Sequence, residues 1–172
     1  QQQQEEEESD TRTYNDLDAI TFGNNTFVAV GELGTVRTSS DNGATWDNGT
    51  KGTRSQLDEI AYGDSTFVAV GQSGTHIYSR DNGATWDNGT WSDSDHVTGV
   101  AFGNNTFVGV SSTYFTRSTD NGSTFDNVTS PTGKNLFGVT FGNDIFLGVG
   151  QSGNIVRSTD NGSSWDNATS PT

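Results

Sequence analysis

The chain has 172 residues, of which 28% are apolar, and 22 acidic side chains against eight basic ones give it a net charge of −14. It has no basic cluster to neutralise phosphates, which argues against nucleic-acid binding, and anionic membranes would repel it. The absence of cysteine removes disulfides and thiolate metal sites, and no run of 18 apolar residues exists to span a bilayer.

Residues 1–16 open with QQQQEEEESD, a low-complexity acidic tail without an apolar face, for which disorder is the expectation. A chain that begins at Gln1 and lacks Met reads as processed or as a fragment. From Leu17 onward the sequence states one pattern four times, starting at Leu17, Leu57, Val97 and Leu136, in steps of 40, 40 and 39 residues. The repeats are 17–56, 57–96, 97–135 and 136–172. A period of this size marks a stacked or circular array of one supersecondary unit.

In the first repeat, DAITFG (18–23) alternates and predicts a strand. GNNT supplies turn residues that tolerate positive φ. TFVAVG (26–31) is a short strand apolar on both faces, which places it between layers. ELG turns the chain, TVRTSS gives a third strand, DNG a third turn, and ATWD begins a fourth strand. A four-stranded unit apolar on both faces needs a similar unit on each side, and a ring of such sheets supplies one. The expected fold is therefore all-β, a β-propeller of four four-stranded antiparallel blades. Phe22, Tyr62, Phe102 and Phe141, together with Phe27, Phe67, Phe107 and Phe146, are expected in the inter-blade core. The third repeat replaces GELG or GQSG by SSTYFTR and loses one residue, so its turn should be reshaped, with Tyr114 in it.

Each repeat then carries SSDNGATW (39–46), SRDNGATW (79–86), STDNGSTF (118–125) or STDNGSSW (158–165). These resemble the Asp-box, or bacterial neuraminidase repeat, Ser/Thr-x-Asp-x-Gly-x-Thr-Trp/Phe, and all four copies fit. The flanking FGNNTFVAVG…GTV is similar to repeats of sialidase-like and photosystem-assembly-type propellers. The resemblance implies a turn between the third and fourth strands, away from a catalytic face. A structural role is expected for Asp41, Gly43 and Trp46, for Asp81, Gly83 and Trp86, for Asp120, Gly122 and Phe125, and for Asp160, Gly162 and Trp165. The carboxylate would accept backbone N–H bonds, and the glycine would supply φ > 0. A Ca²⁺ loop of EF-hand type needs alternating Asp and a distal Glu, and neither is present. No metal or cofactor is expected.

Sialidases need an arginine triad, a Tyr–Glu nucleophile and an acid/base Asp. Here the six arginines are Arg12, Arg37, Arg54, Arg80, Arg117 and Arg157, and Arg117 and Arg157 hold equivalent strand positions that suggest surface pairing. Glu32 and Glu59 are the only glutamates outside the tail, and His76 and His96 stand alone in sequence. The chain reads as non-catalytic. Behind every box stands an Asn-x-Thr sequon, at Asn48, Asn88, Asn127 and Asn167, and two more lie in first turns at Asn24 and Asn104. Asn121 and Asn161 also begin sequons, inside the box, and should be poorer acceptors. Asn48 follows Trp46 by two residues, so the strand must end or bulge for the two to point apart. The expectation is an extracellular, secreted, N-glycosylated structural or assembly module, a subunit of a surface fibre or coat. Covalent glycans and self-association or other extracellular proteins are its expected partners. A lectin-like propeller is the alternative, ahead of a degenerate glycosidase or a photosystem-assembly-like factor.

Overall fold

In the computed structural model, residues 15–168, 170 and 171 are described, so most of the acidic tail lies outside the described residues. The repeats fold into four sheets, each of four consecutive antiparallel strands. Blade one comprises β1 (Leu17–Gly23), β2 (Thr26–Gly31), β3 (Val36–Ser39) and β4 (Asp47–Asn48). Blade two comprises β5 (Leu57–Gly63), β6 (Thr66–Gly71), β7 (His76–Ser79) and β8 (Asp87–Asn88). Blade three comprises β9 (Gly99–Gly103), β10 (Thr106–Val110), β11 (Tyr114–Ser118) and β12 (Asp126–Thr129). Blade four comprises β13 (Leu136–Gly142), β14 (Ile145–Gly150), β15 (Ile155–Ser158) and β16 (Asp166–Asn167). The expected all-β propeller of four four-stranded blades is the fold.

Turn chemistry sets the register. Asn24 and Asn25, with φ of 47° and 58°, form the two-residue hairpin turn that matches strand twist. The turn brings Phe22 opposite Phe27, with ring centroids 4.7 Å apart. Blade two repeats this with Tyr62 and Phe67 at 4.6 Å. The inner strands β1, β5, β9 and β13 pack on one another in succession, leaving the short fourth strands outermost. The first-turn and box ends of the strands share one face, and the connectors between blades share the other.

Three hydrophobic seams hold the blades together. Val28, Val36, Leu57, Phe67 and Trp86 join blades one and two. Val68, Val97, Phe107 and Phe125 join two and three, and Val108, Leu136, Phe146 and Trp165 join three and four. A strand apolar on both faces, as read from TFVAVG, serves two seams at once. The glycine that ends the inner strand of each of the first three blades lies beneath the next blade's aromatic: a Cβ on Gly23 would stand 2.2 Å from the Tyr62 ring, and one on Gly63 would stand 2.0 Å from Phe102.

The structure corrects three expectations and narrows a fourth. Phe22 is not in the core but 52% exposed, and Trp46 is 40% exposed against 8% for Trp86. Both belong to blade one, whose outward face has no other blade against it among the described residues; Phe27 is half-buried, whereas Phe67, Phe107 and Phe146 are fully buried. The fourth strand starts only at the last residue of ATWD: in blade one it is Asp47–Asn48, after the tryptophan. Trp46 therefore belongs to the box turn, and Asn48 is free to point elsewhere. Tyr114 is not in the reshaped turn but opens β11. The other blades turn through a residue in the left-handed region, Leu33, Ser73 or Ser152, at φ of 52°, 56° and 59°. Blade three instead shapes residues 111–113 around Asp95, which accepts bonds from Ser111 Oγ (2.8 Å), Ser112 Oγ (3.2 Å) and the Thr113 N–H (3.2 Å).

Candidate functional site

The boxes are built alike. In blade one the Ser39 hydroxyl donates to Asp41 Oδ1 (2.8 Å) and accepts from the Gly43 N–H (2.9 Å). The Thr45 N–H reaches the same carboxylate oxygen at 2.9 Å, and the Thr45 hydroxyl donates to the other. Gly43 sits at φ +82°, which a side chain would resist, and its carbonyl accepts the Trp46 indole N–H at 3.1 Å. The pattern recurs around Asp81, Asp120 and Asp160. Phe125 lacks the indole donor but still fills its seam. Bonds from Thr45, then from Ser39, hold the Asp41 carboxyl at about 2. At Asp81 and Asp120 partial burial pushes upward, yet the bonds from Thr85 and Ser79, and from Thr124 and Ser118, together win and lower the carboxyl. At Asp160 the Ser164 hydroxyl leads the same downward shift. All four carboxylates are committed to their own turns.

The box arginines bridge blades. Arg80 donates to Ser123 Oγ at 2.9 Å, and Arg117 Nε donates to the Asn161 carbonyl at 2.9 Å. These bonds keep the two arginines on separate seams.

The sequon residues divide by position. Asn48, Asn88, Asn127 and Asn167 all lie exposed on the outermost strands β4, β8, β12 and β16. Asn127 donates to Ser92 Oγ (3.4 Å) and accepts the Trp91 indole N–H, and Asn167 donates to the Pro131 carbonyl at 3.0 Å. Asn24 and Asn104 sit in positive-φ turns, and their sequon partners Thr26 and Thr106 are buried. Asn161 is spent on Thr106 Oγ1 at 2.6 Å.

The connector face carries a polar network that no motif in the chain announces. His96 Nε2 lies 2.7 Å from Asp58 Oδ2. Gln56 Nε2 donates to Asp58 Oδ1 and Asp18 Oδ2, both at 3.3 Å, and Gln72 donates to Gln56 Oε1 at 2.9 Å. A recess beside it is lined by Asp95, His96, Ser112, Asn135, Leu136 and Phe137. Glu59 makes no hydrogen bond to this network but feels its Asp58: burial, opposed by the Ile60 N–H and reinforced by Asp58, pushes its carboxyl up. His76 is no surface base. It is sealed between blades two and three, with Phe125 at 4.1 Å and Trp91 at 5.1 Å between ring centroids. Its Nδ1–H donates to the Gly74 carbonyl (3.0 Å), so Nε2 accepts from Thr116 Oγ1 (3.1 Å).

No family model and no curated protein sequence matches the chain. Solved structures do. YCF48 bound to D1 peptide superposes with a TM-score of 0.64 at 16% identity, covering 88% of this chain and 52% of that one. YCF48 from Cyanidioschyzon merolae gives 0.66 at 18% identity, covering 92% and 57%. The computationally designed Ika4 protein gives 0.69 at 14% identity, covering 86% and 93%. The chain thus spans about half the length of the YCF48 chains and nearly all of Ika4. At these identities the likeness is one of fold, the four-stranded propeller blade.

The arrangement offers hydrogen bonding more than covalent chemistry. Every bond in the Asp58–Gln56–Gln72 network ends on an amide, an imidazole or a carboxylate. Such a surface can satisfy the N–H and C=O groups of an extended polypeptide.

Proposed function

We infer that this chain is a non-catalytic assembly module acting outside the cell, with N-linked glycans on its outer rim and protein as its binding partner. The observation that carries this reading is the division of labour between its two repeated motifs. The box carboxylates are consumed in their own turns, while the asparagine behind each box stands exposed on the outermost strand. A glycan there can extend into solvent without displacing a seam. Peptide mass spectrometry on material from the native host should find sugar on Asn48 and Asn88 first, because Asn127 and Asn167 hold side-chain contacts of their own. Bare peptides at all four positions would remove the glycans and leave the binding role. Turnover of a fluorogenic sialoside or another glycoside would overturn the non-catalytic reading.

A second reading, the photosystem-assembly-like one, draws on the connector face. YCF48, with the same blade fold, is seen with a bound peptide, and here the recess between His96 and Phe137 combines hydrogen-bonding groups with an exposed aromatic. Chemical-shift changes confined to residues 95–98 and 135–137 on adding extended peptides would support it. Changes scattered over the box face would not.

A further inference from the structure

Among the described residues nothing covers the two ends of the blade array, and the ends are complementary. Each seam inside the chain uses the same parts. The leading blade offers an inner-strand glycine, a second-strand valine and, in two of three seams, an arginine. The following blade offers an aromatic over that glycine, a box glycine against that valine, and a box aromatic in the seam.

The contacts repeat closely. Gly103 lies under Phe141, where a Cβ would meet the ring at 2.1 Å. Val28, Val68 and Val108 press on Gly83, Gly122 and Gly162, where a Cβ would meet them at 3.2, 2.9 and 2.7 Å. Trp86, Phe125 and Trp165 close the seams.

Blade four has the leading half of this set, and none of the described residues is set into it. A Cβ on Gly142 would meet no atom within 4 Å, Leu147 and Val149 are 40% and 51% exposed, and Arg157 is exposed at the position of Arg117. Blade one has the following half. Phe22 and Trp46 are exposed, and beside Gly43 only its own Trp46 comes within 4 Å. An apolar recess lined by Leu17, Ile20, Ala29 and Trp46 opens on that face. Among the described residues, no hydrophobic cluster joins blade four to blade one.

We propose that these two faces bind each other between copies of the chain: Phe22 of one copy seats on Gly142 of the next, with Leu147 against Gly43. The interface is heterologous, head to tail, and gives a closed ring or a fibre according to whether the rotation closes. The occupant is a second copy because the missing parts are those the chain already uses in three seams, with Leu147 standing where the other blades have valine. The inference rests on the assembly reading and names its partner.

Sedimentation equilibrium on the full 172-residue chain tests it, in molar salt so that the charge of −14 on each copy is screened. The expected mass is twice 18.3 kDa or more. Gly142→Leu should return it to one chain without loss of β-sheet circular dichroism, since the new side chain meets open space. Phe22→Asp should do the same, and an equimolar mixture of the two variants should recover a two-chain species through the one intact interface. A wild-type mass of one chain at every concentration overturns the proposal, as does association that neither variant weakens. Those failures leave the glycan and non-catalytic readings standing, because mass spectrometry and turnover read them separately.

Discussion

At the residue scale, position in the array decides what a repeated residue contributes. Trp86 and Trp46 occupy the same box position, but only Trp86 closes a seam. Trp86→Ala should cost about 3–5 kcal/mol, the usual range for emptying an aromatic core site. Trp46→Ala should cost well under half of that in the single chain, and urea denaturation of both variants checks the contrast. His76 gives a pH prediction. Burial holds its folded pKa at about 4, below the ordinary 6.5, so the folded state keeps it neutral while the unfolded chain takes up a proton. Stability is therefore full above pH 6.5 and falls as pH drops from there to about 4, by roughly 3 kcal/mol at most. The box carboxylates act in a lower window: their contribution is present above the unfolded value of 3.8 and is lost as pH falls toward about 2, the folded value for Asp41. Thermal melts from pH 7 to 4 should show the first slope in the wild type and a flatter one in His76→Gln. An equal slope in both would contradict this account.

At the scale of elements, the hairpins and boxes were legible because their chemistry is local. GNNT and DNG specify positive-φ turns whatever surrounds them, and TFVAVG shows its two buried faces without any neighbour. The start of β4 was not legible, because the box holds Trp46 through Asp41 and Gly43 rather than through a ladder. Nor was the place of Tyr114. Its turn is shaped by Asp95, sixteen residues before Ser111, which spacing within the repeat does not reveal. The exposure of Phe22 follows from being first, a property of the array and not of the repeat. The connector-face network was hidden for a similar reason: Asp18 and Asp58 share a repeated position, but their partners Gln56 and His96 lie at the ends of repeats one and two, where the spacing does not reveal the pairing. The socket glycines carry the prediction at this scale. Gly63→Leu should destabilise strongly, since its side chain would run into Phe102, whereas Gly142→Leu should leave the melting temperature of the isolated chain within about 2 °C, as for a surface change.

At the scale of the molecule, two properties are in tension. A net charge of −14 spread over 18.3 kDa repels itself, within one chain and between chains. The seams and the uncovered ends are apolar and gain nothing from that charge. Added salt should therefore raise both the melting temperature and the degree of association, and melts across a sodium chloride series would show it; a flat response would mean that the acidic residues do not oppose folding. The central claim is that three seams lie within the chain and the fourth is made between chains. With no native cysteine, the double variant Phe22→Cys/Gly142→Cys reads this directly. The glycine and aromatic of each internal seam lie within disulfide reach, so the same pairing at the fourth seam should crosslink. Under oxidation the account predicts a covalent species of two or more chains on a non-reducing gel. A single-chain band alone, whether closed on itself or not crosslinked, would contradict it.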